Sequence, residues 1–220
     1  MTMILIAGMW LDERAWGRVA PELERLGHDV VTPALPGESF AAQAGAVIAA
    51  VDAVDEPVVI VAHSAACSLG WVAADARPDA VSRVVMVGGF PVDDGGTYFD
   101  ALDPVDGLVH WPGWEAFAGP DSDDMDEAAR ALMDSHMAPV SSGVTHAVVH
   151  LSDERRYDVP VTLVCPEFSV EDAREWIASG QLPEFEKAHA LDFADIDSGH
   201  WPMYSKPVEF AVLLGEISGR

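Results

Sequence analysis

The chain has 220 residues, of which 50% are hydrophobic and 22% are charged, and its formal net charge is −25. That length and composition are typical of a single globular domain over residues 1–220 and exclude a disordered chain. The negative charge would repel phosphate backbones and anionic membrane surfaces, so we expect no nucleic-acid partner and no membrane partner.

We expect no targeting segment at the start of the chain. Its first apolar run, Met3 to Gly8, is too short for a signal peptide and lacks a basic flank and a small-residue cleavage site. No apolar run approaches the roughly 20 residues that cross a bilayer. We therefore expect a cytoplasmic protein, and a homo-oligomer is compatible with the sequence. The two cysteines, Cys67 and Cys165, have neither disulfide-framework nor zinc-ligand spacing.

The first part of the chain alternates short β-like runs with amphipathic stretches. The predicted elements, in chain order, are strand Met3–Ala7, helix Glu13–Leu26 between Asp12 as N-cap and Gly27, strand Asp29–Pro33, helix Phe40–Val54, strand Val58–Ala62, helix Ala65–Ala76 and strand Arg83–Val87. The third strand is continuously apolar, which predicts a central position in the sheet. The fold class is therefore α/β, with a largely parallel central sheet flanked by helices.

The alternation stops between about residues 91 and 159, where Gly, Pro and Asp are frequent. Only about Met125–Met137 has a helical pattern, and an irregular segment of this length is usually functional, so we predict a small lid insertion at about 91–159. Its acidic cluster, Asp121–Asp126, is interpreted as solvated surface. The strand–helix pattern resumes with strand Val161–Cys165, helix Glu171–Ala178, strand Ala190–Ile196 and a final helix from about Lys206.

A buried strand, a serine and a helix follow one another directly around Ser64. This is the context of a nucleophile elbow, in which the residues two before and two after the serine must be small. Ala62 and Ala66 stand where the usual Gly-x-Ser-x-Gly pattern has glycines, so they meet the steric requirement. A serine at a helix start is also a common N-cap, so the motif alone leaves both interpretations open.

A candidate base and a candidate oxyanion hole accompany that serine. His200 follows the last strand, and a neutral imidazole in a loop there can accept the serine proton. Its position fits the chain order serine, acid, histidine that one class of triad enzymes uses. The backbone N–H groups of Met9, after Gly8, and of Ala65, after Ser64, are placed to hold a developing oxyanion.

These motifs together carry a family resemblance. Nearly the whole chain resembles the α/β-hydrolase fold superfamily, through Ala7-Gly8-Met9, Leu35-Pro36-Gly37, Ala62-His63-Ser64-Ala65-Ala66 and Gly199-His200. The short length and small lid resemble its plant methylesterase and hydroxynitrile lyase branch, together with bacterial relatives. The resemblance implies a single-domain α/β-hydrolase fold, a serine–histidine–acid triad, a packing role for His63 beneath the elbow, and no cofactor.

The acid of the triad is not in its usual place. The family has an Asp shortly after the penultimate strand, where this chain has Phe168. Glu167 is the leading candidate, because it is one residue away and its longer side chain could reach His200. Other candidates are Asp94 or Asp93 beyond Gly88-Gly89, then Asp172 and Asp197, or no acid at all.

The leading prediction is a serine hydrolase, esterase-like, that cleaves a small, mostly uncharged carboxylic ester, lactone or thioester. Ser64, His200 and Glu167 would be catalytic. Trp10 and Trp111, with Trp114 and Phe117, would line an apolar substrate pocket or pack the lid. We expect a small-molecule substrate, no cofactor and no metal site.

Two alternatives remain at this point. The uncertain acid motivates a non-catalytic small-ligand-binding protein of the same fold. A hydroxynitrile-lyase-like enzyme is disfavoured, because that branch uses a pocket lysine and only Lys187 and Lys206 are available, both outside the insertion.

Overall fold

The computed structural model describes residues 1–219 and is built around a parallel β-sheet. The strands are β1 (Thr2–Ile6), β2 (Asp29–Val31), β3 (Val58–His63), β4 (Val81–Val87), β5 (Leu108–Val109), β6 (Val140–Ser141), β7 (Val161–Cys165) and β8 (Leu191–Asp195). Six of them form one sheet in the order β2-β1-β3-β4-β7-β8, with every neighbouring pair parallel. The α/β prediction is confirmed.

The helices cover both faces of this sheet. They are α1 (Ala20–Arg25), α2 (Phe40–Asp52), α3 (Cys67–Ala76), α4 (Glu127–Asp134), α5 (Ser142–Thr145), α6 (Val170–Ala178), α7 (Pro183–Lys187), α8 (Pro202–Ser205) and α9 (Pro207–Ser218). No helix among residues 1–219 has both the length and the apolar character that a membrane crossing requires.

Strand β3 lies at the centre of the core, as its apolar sequence predicts. All six of its residues are buried. Successive side chains of a strand point to opposite faces of the sheet, so Ile60 joins the apolar cluster on one face while Val59 and Val61 join the cluster on the other. The end of β3 is thereby held rigidly where it delivers Ser64 to the carboxyl edge of the sheet.

The predicted helix Glu13–Leu26 is wrong as a single element. The chain forms a 3-10 turn at Glu13–Trp16 and then the separate helix α1. Gly17 ends the turn, and Pro21 lacks the N–H that a helix interior needs, so a new helix starts around it. Asp12 does cap the first piece, because its Oδ1 accepts a 3.0 Å hydrogen bond from the backbone N–H of Arg14.

The segment between β4 and β7 has more regular structure than its sequence predicts. Strands β5 and β6 pair as an antiparallel ribbon, followed at once by α5. Helix α4 is shorter than the expected Met125–Met137, because Asp126 Oδ1 accepts a 2.7 Å hydrogen bond from Ala129 N and fixes the N-cap there. Helices α7 and α8 are not predicted by the sequence, since five and four residues are too few to show a helical period.

Candidate active site

Ser64 occupies a strained turn between β3 and α3. Its φ of 55° lies in the left-handed region that residues other than glycine rarely adopt. The chain passes from β3 into a 3-10 turn at Ser64–Ala66 and then into α3 without a loop. A strained strand-to-helix turn that projects a serine is the geometry of a nucleophile elbow. Ser64 is not an N-cap, because His63 is the N-cap of the 3-10 turn and Ala66 is the N-cap of α3, neither with a side-chain cap bond.

The end of β1 packs directly against this elbow. A Cβ on Gly8 would lie 2.6 Å from His63 Nδ1 and 3.0 Å from Ser64 Cβ, so only glycine fits this approach. The close approach places Met9 beside Ser64, on the wall of the same cavity. Ala65 follows Ser64 in the 3-10 turn. The two backbone positions expected for an oxyanion hole therefore flank the serine.

Ser64, His200 and Glu167 form a continuous hydrogen-bonded chain. His200 Nε2 lies 2.9 Å from Ser64 Oγ, and His200 Nδ1 lies 2.6 Å from Glu167 Oε1. The carboxylate can only accept at Nδ1, which assigns the proton to that nitrogen and leaves Nε2 to accept from the serine hydroxyl. The His200 and Glu167 side chains are only 12% and 13% exposed, so the pair is largely shielded from water.

Gly88 leaves the room that Glu167 needs. This residue follows β4 with φ at 58°, and its backbone N–H donates to Val164 O at 3.1 Å. A Cβ at this position would lie 3.1 Å from both Glu167 Oε2 and His200 Nδ1. Phe168, in contrast, turns away into an aromatic cluster with Phe90 and Trp176 at centroid distances of 5.6 and 5.1 Å. The carboxylate is thus supplied one residue earlier than the family pattern and from a longer side chain.

The other candidate acids lie elsewhere. Asp94 Oδ1 accepts a 2.9 Å hydrogen bond from Leu151 N, and Asp172 forms the capping box of α6 with Ser169. Asp197 is exposed. Asp93 lies on a surface depression with Arg156 and Glu184. None of them contacts His200 through a hydrogen bond among residues 1–219.

The backbone of the His200 loop is fixed by the insertion. His200 N donates to Asp121 O at 2.8 Å, and Gly199 N donates to Asp124 Oδ2 at 2.8 Å. A Cβ on Gly199 would lie 2.3 Å from Asp121 O, so the two segments are in close contact. This corrects the interpretation of Asp121–Asp126 as solvated surface alone. No pattern in the sequence indicates that this cluster and His200 meet.

His63 holds the other side of the same loop. Its Nε2 lies 2.8 Å from the carbonyl oxygen of His200, to which it donates, while its Nδ1 has no partner. The side chain is buried, and burial together with the neighbouring His200 lowers the pKa of His63 to about 3. His63 is therefore neutral at ordinary pH and supports His200 from beneath the elbow, where the resemblance places it.

An apolar cavity of about 320 Å³ opens onto Ser64 and His200. Its walls come from the ends of β1 and β3, from the insertion and from the residue after His200: Met9, Trp10, His63, Phe99, Ala101, Leu102, Pro112, Ala116, Phe117 and Trp201. In the part of the chain that the structure describes, the only ionisable side chains on these walls are His63 and His200. Among residues 1–219, no group of three or more His, Cys, Asp or Glu side chains is arranged to hold a metal ion.

The tryptophans predicted for the pocket divide into two groups. Trp10 lines the cavity, whereas Trp111 lies behind its wall, stacked on Phe117 at 4.8 Å and edge-on to Trp10 at 5.3 Å between ring centroids. Trp114 packs behind the wall as well, edge-on to Trp201 at 5.6 Å. Trp10 thus lines the cavity, whereas Trp111 and Trp114 pack against the residues that form its wall.

Comparison with known proteins agrees with this architecture. The alpha/beta hydrolase family model matches residues 3–213. An extracellular alpha/beta-hydrolase from a Paenibacillus species, described as sharing structural and functional homology with tobacco salicylic acid binding protein 2, has a TM-score of 0.77 at 17% identity over 98% of both chains. The methylesterase MES16 from Arabidopsis has a TM-score of 0.77 at 14% identity over 100% of both chains.

Polyneuridine aldehyde esterase has a TM-score of 0.75 at 19% identity, over 99% of this chain and 98% of that one. At these identities the likeness concerns the fold, and it confirms the structural resemblance to the methylesterase branch. No curated protein sequence matches the chain significantly.

Proposed function

Because the chain belongs to the α/β hydrolase family, we propose that it is a serine hydrolase that cleaves small, mostly uncharged carboxylic esters, or related lactones or thioesters, through an acyl-enzyme. The observation that carries the proposal is the hydrogen-bonded chain from Ser64 through His200 to Glu167, with links of 2.9 and 2.6 Å at the wall of an apolar cavity.

The proposed reaction has two halves. Ser64 Oγ attacks the ester carbonyl carbon while His200 Nε2 takes the serine proton. The carbonyl oxygen becomes an oxyanion that the N–H groups of Met9 and Ala65 stabilise, and Glu167 stabilises the imidazolium. His200 then donates its proton to the departing alcohol. Water attacks the acyl-enzyme with His200 again as base, which releases the acid and restores Ser64.

The cavity supports a neutral and small substrate. Its volume of about 320 Å³ is at the small end of ligand pockets, and its walls are mostly aromatic and aliphatic. Among residues 1–219, no lysine or arginine lines it, so no described cation would offset the cost of burying an anion there. The net charge of −25 further disfavours anionic substrates.

The two alternatives lose their support in this geometry. The non-catalytic alternative is motivated by a missing acid, and Glu167 stands at hydrogen-bonding distance from His200. The lyase alternative needs a pocket lysine, and neither Lys187 nor Lys206 lines the cavity at Ser64.

The proposal is tested by ester turnover. The protein and its Ser64→Ala variant would be given p-nitrophenyl acetate and butyrate, and, as a matched pair, dimethyl succinate and monomethyl succinate. We expect turnover of the neutral esters, a loss of at least about 1,000-fold in Ser64→Ala, and slower cleavage of the anionic member of the pair. Equal turnover by both proteins, or no turnover of any neutral ester, would contradict the proposal.

A further inference from the structure

A second cavity, of about 280 Å³, lies on the other side of Met9 and Trp10, the two residues that line both cavities. It is bounded by the end of β1, the loop before α2, α2 itself, the β5–β6 ribbon and α5, and we call it the ribbon cavity. Its apolar walls include Leu35, Leu108, Val140 and Val144. Trp10 Nε1 donates to Val109 O at 3.1 Å, which holds the partition against the ribbon.

Two buried polar side chains face this cavity. Gln43 is 8% exposed and Tyr98 is 6% exposed, and both lie on its wall. Among residues 1–219, neither the Gln43 amide nor the Tyr98 hydroxyl hydrogen-bonds to another protein group. Buried polar groups are nearly always paired, because an unpaired one loses its hydrogen bonds to water without replacement. The polar atoms of Gln43 and Tyr98 are not among the side-chain atoms sealed from solvent without a partner, so water or a ligand inside the cavity can supply their hydrogen bonds.

Gln43 is a polar residue on the buried face of an otherwise apolar helix. Helix α2 reads FAAQAGAVIAAVD, and Gln43 is its one polar residue before the terminal Asp52. It belongs to the buried face of the helix with Phe40, Ala44 and Val47. An apolar residue would be the ordinary choice on such a face, and Gln43 instead presents a polar side chain to the cavity.

Among residues 1–219, no side chain on the wall of the ribbon cavity carries an unpaired charge. Asp12 is held by Arg14 through side-chain hydrogen bonds of 2.6 to 2.9 Å, which neutralises the pair. His136 Nδ1 shares a 2.9 Å hydrogen bond with the Tyr204 hydroxyl, and partial burial lowers the pKa of His136, so its ring is neutral at pH 7. A charged ligand would find no counter-ion, whereas a neutral one would match.

We propose that the ribbon cavity is a binding site for a small neutral molecule with an apolar body and an amide or hydroxyl head. The head would hydrogen-bond to Gln43 and Tyr98, and the body would pack against Leu35, Val140 and Val144. The site is separate from Ser64 and does not depend on the proposed hydrolysis. A molecule bound in the ribbon cavity would lie next to the backbone of Met9, on the side opposite to the Ser64 cavity.

Benzamide is a suitable probe, since it has a neutral amide head and an apolar ring. The Ser64→Ala protein, in which acylation is blocked, would be titrated with benzamide and followed by methyl NMR. We expect saturable shifts of the Leu35, Val140 and Val144 methyl groups, with the methyl groups of Leu102 at the Ser64 cavity unmoved. Shifts confined to the Ser64 cavity, or no saturable shift, would overturn the proposal.

Two variants of matched shape identify the contacts. Gln43→Leu and Tyr98→Phe remove the polar head groups with little change in volume, and each should weaken benzamide binding by at least about tenfold. Gln181→Leu is the same substitution at an exposed position and should leave binding unchanged. The melting temperature of each variant, expected to equal or exceed that of the parent, verifies folding. Binding that is unaffected in both cavity variants would overturn the assignment.

Discussion

Glu167 Oε1 accepts a 2.6 Å hydrogen bond from His200 Nδ1, while the second carboxylate oxygen, Oε2, is buried without a partner. Within residues 1–219, the Glu167 carboxylate therefore hydrogen-bonds to His200 alone. Gly88 makes the contact possible, because any side chain there would meet both groups at 3.1 Å. The proposed triad consequently depends on a glutamate one residue from the family position and on the absence of a side chain at Gly88.

Replacing Glu167 with Gln should lower turnover by between about 10-fold and 10,000-fold. The amide can no longer stabilise the imidazolium, and it favours the wrong tautomer of His200. The measurement is kcat on p-nitrophenyl butyrate. Asp94→Asn is the matched control, because an asparagine side chain can still accept from Leu151 N and Asp94 lies away from His200. The assignment fails if Asp94→Asn loses activity and Glu167→Gln does not.

Gly88→Ala should abolish most activity, because its methyl group would displace Glu167 or His200. Gly95 provides the control: its φ of 81° imposes similar backbone strain on alanine, and nothing lies within 4 Å of its missing Cβ. Both variants should lose about 1 kcal/mol of unfolding free energy. Only Gly88→Ala should also lose at least about tenfold in kcat. Equal activities in the two variants would contradict this role.

His63 should make the protein less stable as the pH falls. Its pKa is about 3 in the folded state and 6.5 ordinarily, so below pH 6.5 the unfolded chain binds a proton that the folded protein does not. The free energy of unfolding should therefore lose about 1.4 kcal/mol per pH unit from this residue between about pH 6 and pH 4.

His63→Gln removes this titration and keeps an N–H donor for the His200 carbonyl. Urea unfolding of both proteins across that pH range should give a difference in unfolding free energy that changes by about 1.4 kcal/mol per unit. Parallel curves would show that His63 is not held neutral.

Asp124→Ala should reduce kcat several-fold and leave KM nearly unchanged, because it frees Gly199 N and loosens the loop that presents His200. Asp124→Asn, whose carbonyl can still accept that hydrogen bond, should restore most of the rate. Asp123→Ala changes an exposed neighbour and is the control. A change in KM with constant kcat, or no rescue by the asparagine variant, would count against a positioning role.

The sequence predicts the parts of this molecule that follow local patterns. The continuous apolar run of β3 and the abrupt change to helix at Ser64 locate the elbow, and the place of His200 after the last strand brings it to the same edge of the sheet. Glu167 is the leading candidate acid because it is next to the family position, but its contact depends on Gly88, which belongs to a different strand end.

Contacts made by the insertion could not be predicted. The hydrogen bonds of Asp121 and Asp124 to the His200 loop join segments that are far apart in sequence and carry no shared pattern. Trp111 and Trp10 are equivalent as aromatic residues in the sequence, yet only packing decides which one lines the cavity. The break in the first helix is hidden because its apolar periodicity continues across Gly17 and Pro21.

The central claim is that Ser64 is a nucleophile activated by His200, and covalent labelling tests it most directly. The parent protein would be incubated with a fluorophosphonate and analysed by intact mass, and the adduct would be mapped by peptide sequencing. The proposed mechanism predicts one adduct per chain, located on Ser64 and absent from Ser64→Ala. An unlabelled parent protein, or an adduct that persists in Ser64→Ala, would contradict it.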